Sequence, residues 1–233
     1  MRKYETKSIN EIYPPFNRRV FFDFQGILSL GDNMIFIIFS AVISYFIGCF
    51  NPALLISKNI YNKDIRSEGS GNPGATNITR IFGKKAGLTV FVIDFAKGLV
   101  AVLIARILVR FLNAPYESVL FAGFFVQIGH IFPVFYKFRG GKGVSAAAGA
   151  AMGIMPLTAV TVLLIFIIIY SITKTVSISS LISAVCYPLV AYVMGGNNSD
   201  ILFLFAASCS ILIIVKHSQN IRRLLDGEEK PVK

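Results

Sequence analysis

What most constrains this chain is the recurrence of long, uncharged apolar runs from its first third to its end. Residues 34–56, 160–169 with their flanks, and 201–215 each read as a membrane-spanning helix. About twenty apolar residues are needed to cross the hydrocarbon core, and a backbone in lipid must satisfy its own hydrogen bonds. With 55% of its 233 residues hydrophobic, the chain is too apolar for a soluble domain. A signal peptide is not the simplest reading, because the runs recur to the C-terminus. The expected fold is all-α, a polytopic integral membrane helix bundle.

The pattern divides into segments 34–56, 87–112, 117–136, 144–155, 156–173, 176–194 and 200–216. That makes about seven transmembrane helices, one of them short, or five if the fourth and fifth merge or partly re-enter. The fourth, "SAAAGAAMG", is too short to span alone, and its Ala/Gly content predicts a tightly packed, protein-covered helix. Pro156 suits the first position of the next helix. Charge sets the orientation. Lys58, Lys63, Arg66, Arg80, Lys84 and Lys85 fall in one loop, Lys137, Arg139 and Lys142 in another, and Lys216, Arg222, Arg223, Lys230 and Lys233 in the tail. Loops 113–116 and 195–199 carry no Lys or Arg. The positive-inside rule then places the motif loops and the C-terminus in the cytoplasm. Three divisions follow: 1–33, a non-membrane N-terminal extension; 34–218, the transmembrane domain; and 219–233, a cytoplasmic tail. Met34 opens the first run, so we read it as the translation start and 1–33 as an upstream artefact. An intact N-terminal peptide beginning before Met34 would refute that.

The net charge of +11 lies in short loops beside the spans, which fits anionic lipid or a phosphorylated substrate better than nucleic acid. Cys49, Cys186 and Cys209 all fall in apolar spans, as packing residues without C-x-x-C spacing, and the two histidines are far apart in sequence. No metal signature results.

The polar residues concentrate in a few motifs. "GSGNPGATNITR", residues 69–80, has the composition of an anion cradle: glycines let backbone N–H groups approach an oxyanion, Ser70, Asn72, Thr76 and Asn77 add donors, and Arg80 follows. A tight inter-helix turn has much the same composition, so both readings stand. "FRGGKG", residues 138–143, is a second glycine-rich cationic turn. It is no Walker A loop, because Tyr136 and Gly143 occupy positions that need Gly and Ser/Thr. Asp94 and Lys97 sit at i, i+3 inside the second span, where an unpaired ion costs about 2.5–3.5 kcal/mol, so they should pair on one face. A structural pair gluing helices and a site role both fit them. His130 lies in an apolar span, where a satisfied packing histidine is the commoner case. His217 and Asn220 occur at i, i+3 where the last span ends; a helix end anchored at headgroups is the alternative to a site.

Taken together, the motifs resemble the bacterial membrane-bound acyl-phosphate:glycerol-3-phosphate acyltransferase family, over about residues 43–228. "GCFNPALLISK" (48–58), "GSGNPGATNITR" (69–80) and "GHIFPVFYKFRGGKGVSAAAG" (129–149) look like its three cytoplasmic motifs, and "DFAKG" (94–98) and "HSQNIRRLLDGEE" (217–229) are similar too. One departure stands out. The first motif of the family usually reads Gly-Ser-x-Pro, whereas here it is Gly48-Cys49-Phe50-Asn51-Pro52. We therefore leave Cys49 out of the site and read this motif as helix packing near the cavity.

The resemblance implies a reaction: the 1-hydroxyl of glycerol 3-phosphate attacks a long-chain acyl phosphate, giving 1-acyl-glycerol 3-phosphate and inorganic phosphate. It implies no cofactor and no metal, a bacterial plasma-membrane location, and a soluble acyl-phosphate synthase that supplies the donor. Catalytic expectations fall on Ser70, Lys142, His217 and Asn220. Substrate binding falls on Gly71, Asn72, Gly74, Thr76, Asn77, Arg80, Lys97, His130 and Gly141. The His-x4-Asp signature of other acyltransferases is absent, with Phe135 and Arg222 at the positions an Asp would take. The competing reading is a small organophosphate transporter, which would need access from both sides and a site near the midplane.

Overall fold

The computed structural model describes residues 24–229, with side chains from Asn33 onward. The described residues form helices joined by turns and loops, without a strand. The helices are α1 Phe24–Cys49, α2 Pro52–Asn59, α3 Ala75–Phe82, α4 Lys84–Leu112, α5 Glu117–Ile131, α6 Val144–Ile154, α7 Pro156–Thr173, α8 Val176–Met194, α9 Ser199–Lys216 and α10 Ser218–Leu225. Six helical stretches are long and apolar enough to cross a membrane, and α6 is a shorter apolar helix among them. Residues 1–23 lie outside the described residues, and with them most of the segment read as an extension. Where that segment is described, α1 already begins at Phe24, ten residues before Met34.

The first span differs from its expected continuous course over 34–56. It breaks at Phe50–Asn51, for a reason written in the covalent chemistry. Pro52 has no N–H, so the Gly48 carbonyl four residues earlier has no helical donor. The Lys97 ammonium from α4 donates to Gly48 O at 3.0 Å and to Phe50 O at 2.6 Å instead. Asn51 restarts the helix, its side-chain oxygen accepting from Leu54 N at 3.0 Å. Lys97 is balanced by Asp94, 2.8 Å away, and both are buried. Cys49 and Cys209 are buried, but Cys186 is only half-buried.

α1 packs on α5, α4 lies across α6, and α7, α8 and α9 pack side by side in chain order. The α4–α6 crossing is unusually close. A Cβ on Gly98 would fall 2.1 Å from Ala146 O, and one on Gly149 1.9 Å from Phe95 O. Small residues here let two backbones meet, as membrane helix packing favours. At about 17 Å, α6 reaches roughly halfway across the membrane. It ends where Arg106 Nη2 donates to the Ile154 carbonyl at 3.1 Å, and Pro156 then starts α7. Gly149→Ala should therefore destabilise the protein by about 1–3 kcal/mol through overpacking against backbone, read as a lower denaturation midpoint in detergent. An unchanged midpoint would contradict the crossing.

Candidate active site

Three polar segments meet at one end of this bundle. The first is the loop between α2 and α3. It rests on a small core of Leu54, Ile65, Ile78 and Val90, all buried. Asp64 starts its Ile65–Ser67 turn, accepting from Arg66 N at 3.0 Å and from the Arg66 guanidinium at 2.6 Å. The hydrogen-bonded guanidinium holds the Asp64 carboxyl well below the usual carboxylate range. Asn77 braces the loop from inside: its amide donates to Glu68 O at 2.9 Å and Ile65 O at 3.3 Å, and its oxygen accepts from Ser70 N at 3.0 Å. Asn51, at the break in the first span, reaches Pro73 O at 3.5 Å. Thus braced, the loop presents Ser70, Asn72, Gly74 and Thr76 to a cavity.

The second segment is the turn 137–143. Gly140 N and Gly141 N donate to Ile131 O and His130 O, each at 3.1 Å. Only glycine fits at 141, because a Cβ there would lie 2.2 Å from His130 Nε2. The His130 ring is thus the floor of the turn. Its Nδ1 lies 3.1 Å from Asp94 Oδ1 and 2.9 Å from Lys97 Nζ. The turn delivers Lys142, whose ammonium donates to Asn220 Oδ1.

The third segment is the α9–α10 junction with the tail. His217 Nδ1 lies 2.7 Å from Ile213 O. A carbonyl only accepts, so the proton sits on Nδ1 and Nε2 keeps its lone pair. Asn220 is held between two partners, accepting from Lys142 and donating to Glu229 Oε1 at 2.7 Å. Glu229 also accepts from Ser177 Oγ at 2.9 Å and Arg223 Nε at 2.7 Å, and Arg80 lies 3.7 Å away. Burial pushes the Glu229 carboxyl up, but these hydrogen bonds outweigh it and hold the group below its ordinary value. Burial lowers the Lys142 ammonium to about 8, against the pull of Glu229 and with Arg223 and Arg80 adding to the fall. Burial and the Lys142 charge lower His217 to about 4, although its bond to Ile213 O opposes this.

These groups line the mouth of a cavity of about 430 Å³. Below the polar mouth the cavity becomes apolar and runs between α4, α6, α7 and α8, past Phe95, Ala151, Val162 and Tyr187. A second chamber of about 390 Å³ shares Ser70, Asn72, Lys142 and Asn220 with it and adds Lys216 and Arg223. The arrangement can hold two anions side by side, one of them with an apolar tail. Among the described residues no cluster of three or more His, Cys, Asp or Glu side chains is placed to hold a metal ion.

Of the residues expected from sequence, Ser70, Asn72, Gly74, Thr76, Arg80, His130, Lys142, His217 and Asn220 lie on the cavity wall. Asn77 lies there too, but its amide is committed to the loop. Lys97, Gly71 and Gly141 are off the wall. Lys97 serves the helix break and Gly141 the His130 ring, while Gly71, with φ of +70°, takes a left-handed bend that glycine favours. Sequence reasoning missed Glu229, Ser177 and Arg223. A signal was present for one of them, since Glu229 is an acid within a strongly basic tail.

Comparison with known proteins gives a consistent picture. The family model described as "Glycerol-3-phosphate acyltransferase" matches residues 38–227. The chain is 41% identical over 192 residues to the glycerol-3-phosphate acyltransferase of Thermoanaerobacter sp. (strain X514), covering 82% of this chain and 93% of that one. It is 42% identical over 200 residues to that of Coxiella burnetii (strain RSA 493 / Nine Mile phase I), covering 86% and 100%. The crystal structure of PlsY (YgiH), an integral membrane glycerol 3-phosphate acyltransferase, in its glycerol 3-phosphate form superposes with a TM-score of 0.76 at 36% identity, covering 84% of this chain and 96% of that one. The lysophosphatidic acid form gives 0.73 at 35% identity, covering 84% and 94%.

Proposed function

The chain belongs to the glycerol-3-phosphate acyltransferase family, and from that premise we propose that it transfers an acyl group from a long-chain acyl phosphate to the 1-hydroxyl of glycerol 3-phosphate. The products are 1-acyl-glycerol 3-phosphate and inorganic phosphate. The observation that carries this reading is the continuity of a cationic mouth with an apolar channel inside the bundle. A membrane-embedded alkyl chain with a phosphate at its head fits both parts at once. Ser70, Asn72 and Thr76, with backbone N–H groups near Gly71 and Gly74, hold the acyl-phosphate head. Arg80 and Lys142 neutralise its charge. His217 and Asn220 position glycerol phosphate in the adjoining chamber.

The chemistry asks little of the protein beyond placement and charge. The substrate hydroxyl oxygen bonds to the carbonyl carbon, the carbon–oxygen bond to phosphate breaks, and phosphate leaves with the electron pair. The hydroxyl proton goes to His217 Nε2, the ring nitrogen with the lone pair, or to a substrate phosphate, whose second pKa is about 6. Cations fixed beforehand around the leaving phosphate lower the barrier most in a site partly shielded from water. Asn220, gripped from both sides by Lys142 and Glu229, keeps the two substrates in register. The basic loops on the side of the site support a cytoplasmic orientation in a bacterial plasma membrane. A soluble enzyme making acyl phosphates would supply the donor.

The two candidate bases separate by pH. With His217 as base, kcat/KM is retained down to its folded value and falls as pH drops through about 4. With a substrate phosphate as base, the acid limb lies near 6 instead. In both cases kcat/KM falls as pH rises through about 8, where Lys142 loses its proton. Retention of full kcat in His217→Ala, with only KM raised, would exclude the base role. The donor is tested with purified protein and radiolabelled glycerol 3-phosphate, offering palmitoyl phosphate and palmitoyl-CoA separately. Labelled lysophosphatidic acid from acyl phosphate alone is the expected result. Product only from acyl-CoA would overturn the donor assignment.

A further inference from the structure

The loop that leaves α5 carries apolar side chains that the bundle does not cover. Phe135 is 69% exposed and Phe138 57%, and Lys137 and Arg139 are exposed beside them. Among the described residues neither cation forms an ion pair. The backbone is bent to make this display. Lys137 and Phe138 take successive left-handed conformations, with φ of +56° and +58°. A Cβ makes that conformation strained, and a bulky phenylalanine is an outlier in it. The bend closes on Pro133, whose carbonyl accepts from Tyr136 N at 3.1 Å and from Phe138 N at 3.0 Å. Gly140 follows Arg139, so the loop runs directly into the turn that carries Lys142.

Depth decides what these rings meet. Phe46 belongs to the first span, one turn before α1 ends, and is 50% exposed. Its ring lies 6.1 Å from that of Phe135. The hydroxyl of Tyr45, the preceding residue, donates to the Phe132 carbonyl at 2.9 Å. The loop is thus tied back along the first span, level with its last lipid-facing turn, instead of reaching out into water. Aromatic rings at that level, with cations beside them, have the composition of a membrane interface. There the rings sit among headgroups, and Lys and Arg meet anionic phosphates. A soluble protein docking on this patch would have to come through the headgroup layer to reach it.

We infer that loop 134–139 is an interfacial anchor: it inserts Phe135 and Phe138 between lipids and gathers anionic phospholipid through Lys137 and Arg139. All four side chains lie off the walls of both chambers. The anchor therefore stands whichever donor the site takes, since it rests on exposure, depth and charge outside the cavity.

The protein has no tryptophan, so Phe135→Trp and Phe138→Trp each install a single fluorescent reporter. Both side chains are exposed, and substitutions at such positions change stability little. Each variant is reconstituted into phosphatidylcholine vesicles that contain the same mole fraction of phosphatidylcholine or phosphatidylglycerol brominated on its acyl chains. Brominated lipid should quench both tryptophans, and aqueous acrylamide should not. Brominated phosphatidylglycerol should quench as though about fivefold enriched around the reporter, the factor that one cation at an anionic surface supplies. Salt should weaken the preference, and K137Q/R139Q should bring the two lipids to parity. Tryptophans that acrylamide quenches and brominated lipid does not would place the loop in water, within reach of a soluble partner, and overturn the anchor. Equal quenching by the two lipids with both cations present, or a preference that K137Q/R139Q leaves intact, would overturn the role given to Lys137 and Arg139. Either reporter alone decides the point.

Discussion

Replacing Lys142 with methionine is expected to lower kcat/KM about 10²–10³-fold, as loss of one preorganised charge or donor at developing negative charge typically does. Among the described residues, Lys142 is the cation that lines both chambers, and it holds Asn220 as well. Methionine keeps most of the length and apolar stem of the side chain, so the loss reads the charge rather than a hole. Lys142→Arg should recover part of the activity. It restores the charge, but a planar fork cannot reproduce the ammonium's contact with Asn220. Steady-state kinetics on protein that elutes as folded wild type does from a sizing column decides the matter. Near-normal turnover in Lys142→Met would remove the phosphate from the place assigned to it.

The second large effect lies outside the reaction. Asp94→Leu should destabilise the protein by about 3–5 kcal/mol, because it leaves the buried Lys97 ammonium without its counter-charge. The damage should spread along a defined path. Lys97 holds Gly48 O and Phe50 O at the break in the first span, and Asn51 at that break reaches Pro73 in the anion loop. The same carboxylate faces His130, on which the Lys142 turn rests. Denaturation in detergent should therefore show a lowered midpoint, and the residual activity of any folded fraction should carry a raised KM. A change within about 0.5 kcal/mol, the range of an ordinary surface substitution, would show that the cluster is not a keystone.

These two residues show how far sequence reading reached. Lys142 was legible as a candidate only in company: alone it reads as a positive-inside loop lysine, and the neighbouring glycine-rich and phosphate-friendly motifs singled it out. Asp94 and Lys97 were legible as a pair, since two intramembrane charges one helical turn apart must neutralise each other. What Lys97 does with its remaining donors was not legible. Its partners are carbonyls 49 and 47 residues away in the chain, and one is free only because Pro52 lacks an N–H. The first span therefore read as unbroken over 34–56, although Asn51-Pro52 is a common way to restart a helix. The expected substrate contact for Lys97 gives way to this structural one. Asn77 is similar: an amide in a glycine-rich loop looks like a ligand donor, and here it hydrogen-bonds the loop's own backbone.

The sequence alone was enough for the helical membrane architecture, the short Ala/Gly-rich helix, the family and most of the polar residues around the site. Each of these rests on local properties: apolar length, charge placement, the need of buried charges for partners, and motifs read in order. Only the tertiary structure showed that the first span breaks, that Glu229 joins Asn220, Ser177 and the arginines, and that a channel deepens from the mouth to Tyr187. These depend on which side chains from distant helices meet. Burial determines this: once water is excluded, every carbonyl, ammonium and carboxylate must find its partner wherever packing has placed one.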